Sequence, residues 1–149
     1  MHDPQPLRDL LHRALARYLT VTPCGFVLDG CVEPVPRLVV RILDNGGART
    51  LYQQRKPVCR SLDGAVAVTD STKHCNRCPQ LDSCTPQVRV DLVVDGRPHR
   101  LLLAFTSAKN FLAYVGRLEV LRVAVDAVRH ELLVVPRRGW GEIQFREVR

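Results

Sequence analysis

The sequence predicts a mainly β fold of the α+β class: a small barrel with an N-terminal helix, one internal helix and a cysteine-rich insertion. Three observations predict it. Short runs rich in Val, Leu and Ile recur along the chain between Gly, Pro, Asn and Asp, the punctuation of strands and turns. Two segments break that pattern with apolar residues at helical spacing. Four cysteines, Cys59, Cys75, Cys78 and Cys84, crowd into a polar stretch between strands.

The elements follow in order. Leu7, Leu10, Leu11, Ala14, Leu15 and Tyr18 fall on one helical face, with Pro6 at the start and Thr20 to Pro23 at the end. Phe26–Leu28 and Arg37–Leu43 read as strands. Asp44-Asn45-Gly46-Gly47 reads as a hairpin turn, with Ala48–Gln54 as the returning strand. After the cysteines, Val88, Val90 and Leu92 alternate with Arg89 and Asp91, as a half-buried strand requires. Asp95-Gly96 turns the chain and Leu101–Phe105 returns. Thr106 or Ser107 caps a helix with Phe111, Leu112, Val115 and Leu118 on its apolar face, and Phe105 and Phe111 are expected in the core. Leu121–Val128, Glu131–Val135 and Ile143–Val148 read as closing strands. A helix between the third and fourth main strands of a small barrel is the order of the OB-fold; a general α+β sheet is the alternative.

At 149 residues the chain is expected to form one domain, 1–149, with residues 57–86 as the insertion. A domain of that length buries about 70% of its unfolded surface and needs no disulfides to hold a core. No signal peptide and no apolar run near membrane-spanning length is visible, so the expected compartment is the cytoplasm, with no membrane partner. Reduced, clustered cysteines there point to metal. The net charge is +7, and 19 of the 22 basic residues are arginine. Residues 1–58 hold 8 basic against 5 acidic side chains, 59–86 hold 3 against 3, and 87–149 hold 11 against 7. The basic excess therefore flanks the cysteine segment. Arginine suits phosphate forks and base stacking, so this balance fits a nucleic-acid partner without requiring one.

The cysteine spacing is Cys59-x15-Cys75-x2-Cys78-x5-Cys84. A Cys-x2-Cys pair brings two thiolates to one ion from a tight turn, and two more complete a tetrahedral shell. Lys73, Asn76, Arg77, Asp82 and Ser83 surround the thiols with polar groups, unlike the apolar setting of core cysteines. Cys24 and Cys31 lie in strand-like sequence and read as core residues; His74, beside Cys75, is the candidate substitute ligand. Zn2+ is the expected ion, with a 4Fe-4S cluster as the alternative. A four-thiolate zinc has no open position and would be structural.

The run Cys75-Asn76-Arg77-Cys78-Pro79-Gln80-Leu81-Asp82-Ser83-Cys84 resembles the cluster segment of WhiB-like iron–sulfur regulators and the cluster spacing of RecB-type nucleases. Both likenesses cover about 26 residues. Thr85-Pro86 and a strand follow here, where the WhiB-like pattern continues as helix; Gly139-Trp140-Gly141 only echoes that family's turn, and the nuclease carboxylates have no counterparts. A wider resemblance begins at Pro57-Val58-Cys59-Arg60-Ser61-Leu62-Asp63-Gly64. It runs through the cysteines and a strand hairpin to Ser107-x2-Asn110-Phe111-x2-Tyr114, roughly residues 55–128. These features resemble small zinc-containing, single-stranded DNA-binding-like proteins of phages and mobile elements. The resemblance implies a zinc site and single-strand binding.

No P-loop, Gly-x-Ser-x-Gly or His-Glu-x-x-His motif is present, and Asp63 and Asp70 read as turn residues, so no enzymatic activity is expected. Single-strand binding needs cations and a few aromatic platforms. Tyr52 beside Arg55 and Lys56, and Trp140 beside Arg137 and Arg138, supply them; Tyr114 reads as core. The expected function is sequence-independent binding of single-stranded DNA or RNA. The alternatives are an interaction subunit of a larger nucleoprotein complex, or an iron–sulfur redox regulator.

Overall fold

A computed structural model describes residues 16–28, 33–68, 70 and 72–148. Two sheets and one long helix make up the described fold. The strands are β1 (Arg17–Tyr18), β2 (Thr20–Thr22), β3 (Gly25–Val27), β4 (Arg37–Gln53), β5 (Lys56–Ser61), β6 (Thr85–Val94), β7 (Arg97–Leu103), β8 (Arg129–Arg137) and β9 (Trp140–Val148), with helix α1 (Phe105–Val120) between β7 and β8. The main sheet runs β1-β7-β6-β4-β8-β9, with β5 added to β4, and β2 pairs with β3 separately. β1 lies parallel to β7 and every other pairing is antiparallel, so the sheet is mixed.

β4 organises the molecule. One edge pairs with β6 from Arg41 to Thr50. The other edge is shared: Arg37–Arg41 pair with β8, and Arg49–Gln53 pair with β5. Alternation along β4 sends Leu38, Val40 and Ile42 inward and Arg37, Val39 and Arg41 outward. Val90, Leu92, Leu101, Leu103, Leu132, Ile143 and Phe145 join the inward residues, and Phe26, Phe111, Tyr114 and Leu118 cover them.

The sheet is open. No ladder joins β7 to β9 among the described residues, so the closed OB-like barrel expected from the element order is not formed. Two neighbours account for the open seam. β1 takes the free edge of β7. The start of α1 takes the free edge of β9: Ser107 Oγ accepts the Ile143 N–H at 3.0 Å, and Asn110 Nδ2 donates to the Ile143 carbonyl at 3.0 Å. Helix side chains thus satisfy backbone groups that a strand partner would otherwise bond. The Ser107-x2-Asn110-Phe111-x2-Tyr114 motif is the inward stripe that docks this helix.

Several expected elements are corrected. Asp44-Asn45-Gly46-Gly47 lies within β4, facing Asp91 to Val88 of β6, with a bulge between Ile42 and Asp44. The glycine there makes room: a Cβ on Gly46 would sit 3.0 Å from Nη2 of Arg89, which spans the strand to reach Asp44. The hairpin tip is Gln54-Arg55, both at positive φ. Leu121–Val128 is not a strand, because α1 runs to Val120 and a short 3-10 turn covers Val125–Ala127. Neither Thr106 nor Ser107 caps α1; its N-cap is Ala104, without a side-chain bond. Phe105 is not core but 72% exposed, and Leu112 faces solvent while Tyr114 is buried. Cys24 is exposed in a turn rather than buried. Tyr18, expected at the end of a helix, belongs to β1; Leu7–Leu15 and Cys31 lie outside the described residues. Among the described residues no helix is long and apolar enough to cross a membrane.

Candidate metal centre and basic surfaces

Cys59 stands on β5 opposite Leu51 of β4. The chain then folds back beside the sheet. The Asp63 carboxylate accepts bonds from the Ala65 and Val66 amides at 2.8 and 3.0 Å and from the Ser61 hydroxyl at 3.0 Å. Those bonds, led by the Val66 and Ala65 amides, hold its pKa below the usual carboxylate value, so Asp63 is a turn-forming residue. Asp70 does the same for Thr72, whose hydroxyl and amide lower its pKa.

Backbone bonds tie this loop to the cysteine turns. The Ala67 amide donates to Lys73, the Cys75 amide donates to Ala65 at 2.7 Å, and Val66 bridges to His74. Cys75–Arg77 and Leu81–Ser83 are each one turn of 3-10 helix, and each ends on a cysteine. The Cys78 amide donates to Cys75 O and the Cys84 amide to Leu81 O, both at 3.1 Å. The spacing of Cys75, Cys78 and Cys84 is therefore the spacing of two consecutive turns, after which Thr85 begins β6.

Cys59, Cys75, Cys78 and Cys84 are all free thiols, and all four line one small cavity of about 20 Å³. Burial raises the pKa of the Cys84 thiol, and the neighbouring thiols of Cys78, Cys59 and Cys75 raise it further, while Arg49 opposes them. Arg49 and Lys73 also line the cavity. His74 is exposed and does not line it, and Cys24 stands in the β2–β3 turn. In this geometry no group of three or more His, Cys, Asp or Glu among the described residues is arranged to hold a metal ion. The donor chemistry fits a soft ion: four sulfurs, no competing carboxylate in the wall, and two cations to offset the negative excess of four thiolates around a divalent ion.

The basic residues singled out in the sequence occupy two separate places. Tyr52, Arg55 and Lys56 sit at the β4–β5 hairpin, close in register to Cys59. Tyr52 is 41% exposed and its hydroxyl accepts from Gln87 Nε2 at 3.3 Å. Arg137, Arg138 and Trp140 sit at the β8–β9 hairpin, where Arg137 pairs with Glu142 at 3.2 Å and Trp140 is 44% exposed. Because β8 pairs with the beginning of β4 and β5 with its end, the two hairpin tips lie at opposite ends of β4. The strand between them measures on the order of 50 Å at about 3.3 Å per residue. The structure does not bring these two clusters together.

Lys73, read in the sequence among the polar groups around the thiols, does line their cavity. Sequence reading missed Arg49 and one set of arginines. Arg49 reaches the thiol cavity only through the β4–β5 register. Arg37, Arg41 and Arg129 come together only through the β4–β8 register. Arg89 and Arg100 are structural. Asp91, 2% exposed, accepts from Arg89 and from Arg100, the latter at 2.8 Å, and Arg89 also donates to the Leu62 carbonyl at 2.7 Å, which fastens the cysteine loop to the sheet.

His130 is a fully buried histidine on β8. Its Nε2 lies 2.6 Å from the Val125 carbonyl and its Nδ1 meets the Tyr114 hydroxyl. An Nε2–H donor with an Nδ1 acceptor satisfies both contacts. Burial lowers the His130 pKa and pushes Tyr114 up to about 12, so both stay neutral. Comparison with protein families, characterised proteins and solved structures finds no match to this chain.

Proposed function

We propose that this chain is a non-catalytic, single-stranded nucleic-acid-binding protein whose 57–86 segment is held by one structural zinc ion. The observation that carries the binding reading is the set of exposed cations beside exposed rings at both hairpins: Arg55 and Lys56 by Tyr52, and Arg138 by Trp140. Among the described residues Arg55, Lys56 and Arg138 have no acidic partner. Cations with no internal partner stabilise nothing within the fold, and with stackable rings they are the elements of single-strand recognition.

Four thiols in one cavity support the metal reading. Cys59, Cys75, Cys78 and Cys84 would hold the ion, which would supply cross-linking rather than chemistry, since four thiolates leave no position for water. The OB-like relation is part of the proposal: β4, β6, β7, α1, β8 and β9 follow that order with the seam left open.

Fluorescence anisotropy with a labelled oligonucleotide at several salt concentrations tests the reading. Binding should weaken as salt rises, with a slope of roughly 0.7 per phosphate contacted. An absence of binding at low salt would reject it. A second reading, an interaction subunit of a larger nucleoprotein assembly, is favoured by one observation: Phe105, Leu112, Val120 and Leu121 leave apolar surface exposed along α1 and its end.

A further inference from the structure

The outer face of β4 and β8 concentrates charge in a way the fold itself does not use. Arg37, Val39 and Arg41 point outward on β4. Register places Arg37 opposite Leu133, Val39 opposite Glu131 and Arg41 opposite Arg129. On β9, Arg146 stands opposite Glu131 and Trp140 opposite Arg137. Two arginines on this face are paired internally, Arg146 to Glu131 at 2.8 Å and Arg137 to Glu142 at 3.2 Å. Arg37, Arg41 and Arg129 have no acidic partner among the described residues.

Like charges directly opposite on adjacent strands destabilise a sheet. Arg41 facing Arg129 is such a pair, with Arg37 further along the same strand face. The face also carries apolar surface between its cations, Val39 at 47% exposure and Trp140 at 44%. The row from Arg129 to Arg137 spans about 27 Å at roughly 3.4 Å per residue.

We infer that the β4–β8–β9 outer face is the track for a single-stranded nucleic acid, with Arg37, Arg41 and Arg129 on phosphates and Trp140 under a base. The inference rests on the nucleic-acid reading above and specifies its surface. It separates that surface from the β4–β5 hairpin, which lies at the far end of β4. The occupant is a polyanion because the unpaired groups are guanidinium forks, which match phosphate. It is single-stranded because Trp140 and Val39 offer stacking and apolar contact to bases that a duplex keeps inside.

The test uses the full chain, a fluorescein-labelled oligothymidylate and a duplex of equal length. Arg37→Gln, Arg41→Gln and Arg129→Gln are combined in one variant; Arg55→Gln with Lys56→Gln is the comparison. The triple variant should lose about tenfold or more in affinity and lower the salt slope by about 2, three contacts at roughly 0.7 each. Its melting temperature should equal or exceed that of the wild type, because a repulsive cross-strand pair has been removed. The hairpin variant should lose less, and the duplex should bind more weakly than the single strand. If the triple variant fails to fold, Arg41→Gln and Arg129→Gln alone each carry the same expectation at one-third of the slope change. Wild-type binding with an unchanged triple variant overturns the track and leaves the nucleic-acid reading standing. Duplex binding as tight as single-strand binding overturns the single-stranded occupant. No binding by the wild type overturns both.

Discussion

Truncating Phe111 tests how α1 seats on the open sheet. Its side chain is fully buried, and its ring meets Phe145 edge-on with centroids 5.3 Å apart at 66°. Phe→Ala in a core costs about 3–5 kcal/mol, and a well-placed aromatic pair accounts for roughly 0.5–1.5 kcal/mol of such a loss. The site is enclosed by β9 and by Tyr114, which also stacks on Phe145, so little collapse into the cavity is available. Phe111→Ala should therefore fall in the upper part of the range, about 4–5 kcal/mol, against a total stability of about 5–15 kcal/mol. Leu112, one residue on, is 58% exposed. Leu112→Ala should stay within about 0.5 kcal/mol. Urea unfolding followed by far-ultraviolet circular dichroism measures both variants under identical buffer and metal conditions. Equal losses, or a larger loss at Leu112, would refute the orientation of α1 and with it the explanation of the open β7–β9 seam.

Other predictions follow from the same contacts. Asn110→Ala should cost about 1–3 kcal/mol, read by the same denaturation, because it strips a donor from the Ile143 carbonyl and from Glu142. Asp91→Ala should cost about 3–5 kcal/mol, since it removes an acceptor shared by Arg89 and Arg100, each 12% exposed in its side chain. His130 gives a pH dependence. Its folded pKa is depressed by burial, so below the ordinary value of about 6.5 the unfolded chain takes up a proton that the folded chain does not. The stability it contributes is complete above that pH and is lost as pH falls through the folded pKa. His130→Gln should flatten that part of the profile in thermal melts between neutral and mildly acidic pH.

Regular alternation was the most legible signal. Val90 and Leu92 are buried on β6 with Val88 partly so, although the expected open face is covered too, since Asp91 is buried and bonded by Arg89 and Arg100; Asp95-Gly96 gives the β6–β7 turn, with both residues at positive φ. The α1 stripe was half legible. Phe111, Leu118 and Tyr114 are buried as the sequence reads them, but Leu112, read onto the same face, is exposed. Tertiary contacts decided: Tyr114 has a buried partner for its hydroxyl in His130, and Leu112 has no neighbouring layer to cover it. The Asp44–Gly47 signal misled because glycine serves two ends. At a turn it permits positive φ; in β4 it makes space for Arg89, a neighbour distant in sequence. The Gln54-Arg55 tip carries no glycine, so nothing local announced it. The four clustered cysteines were legible from spacing, since two short turns impose it. Lys73 was legible beside them, and Arg49 was not, because it reaches the cavity through strand register.

Metal content per folded chain is the most direct test of the proposed centre. The protein, purified under reducing conditions without added metal, is measured by elemental analysis, and its thiols are titrated before and after denaturation in a chelator. The account predicts one zinc per chain and four cysteine thiols protected until the chelator acts. Cys78→Ser should lose the ion and expose residues 57–86, because structural zinc contributes on the order of 10–16 kcal/mol in small domains. A folded chain without metal, with Cys59, Cys75, Cys78 and Cys84 all reactive and its melting unaffected by chelator, would contradict it; iron and sulfide in place of zinc would contradict the choice of ion.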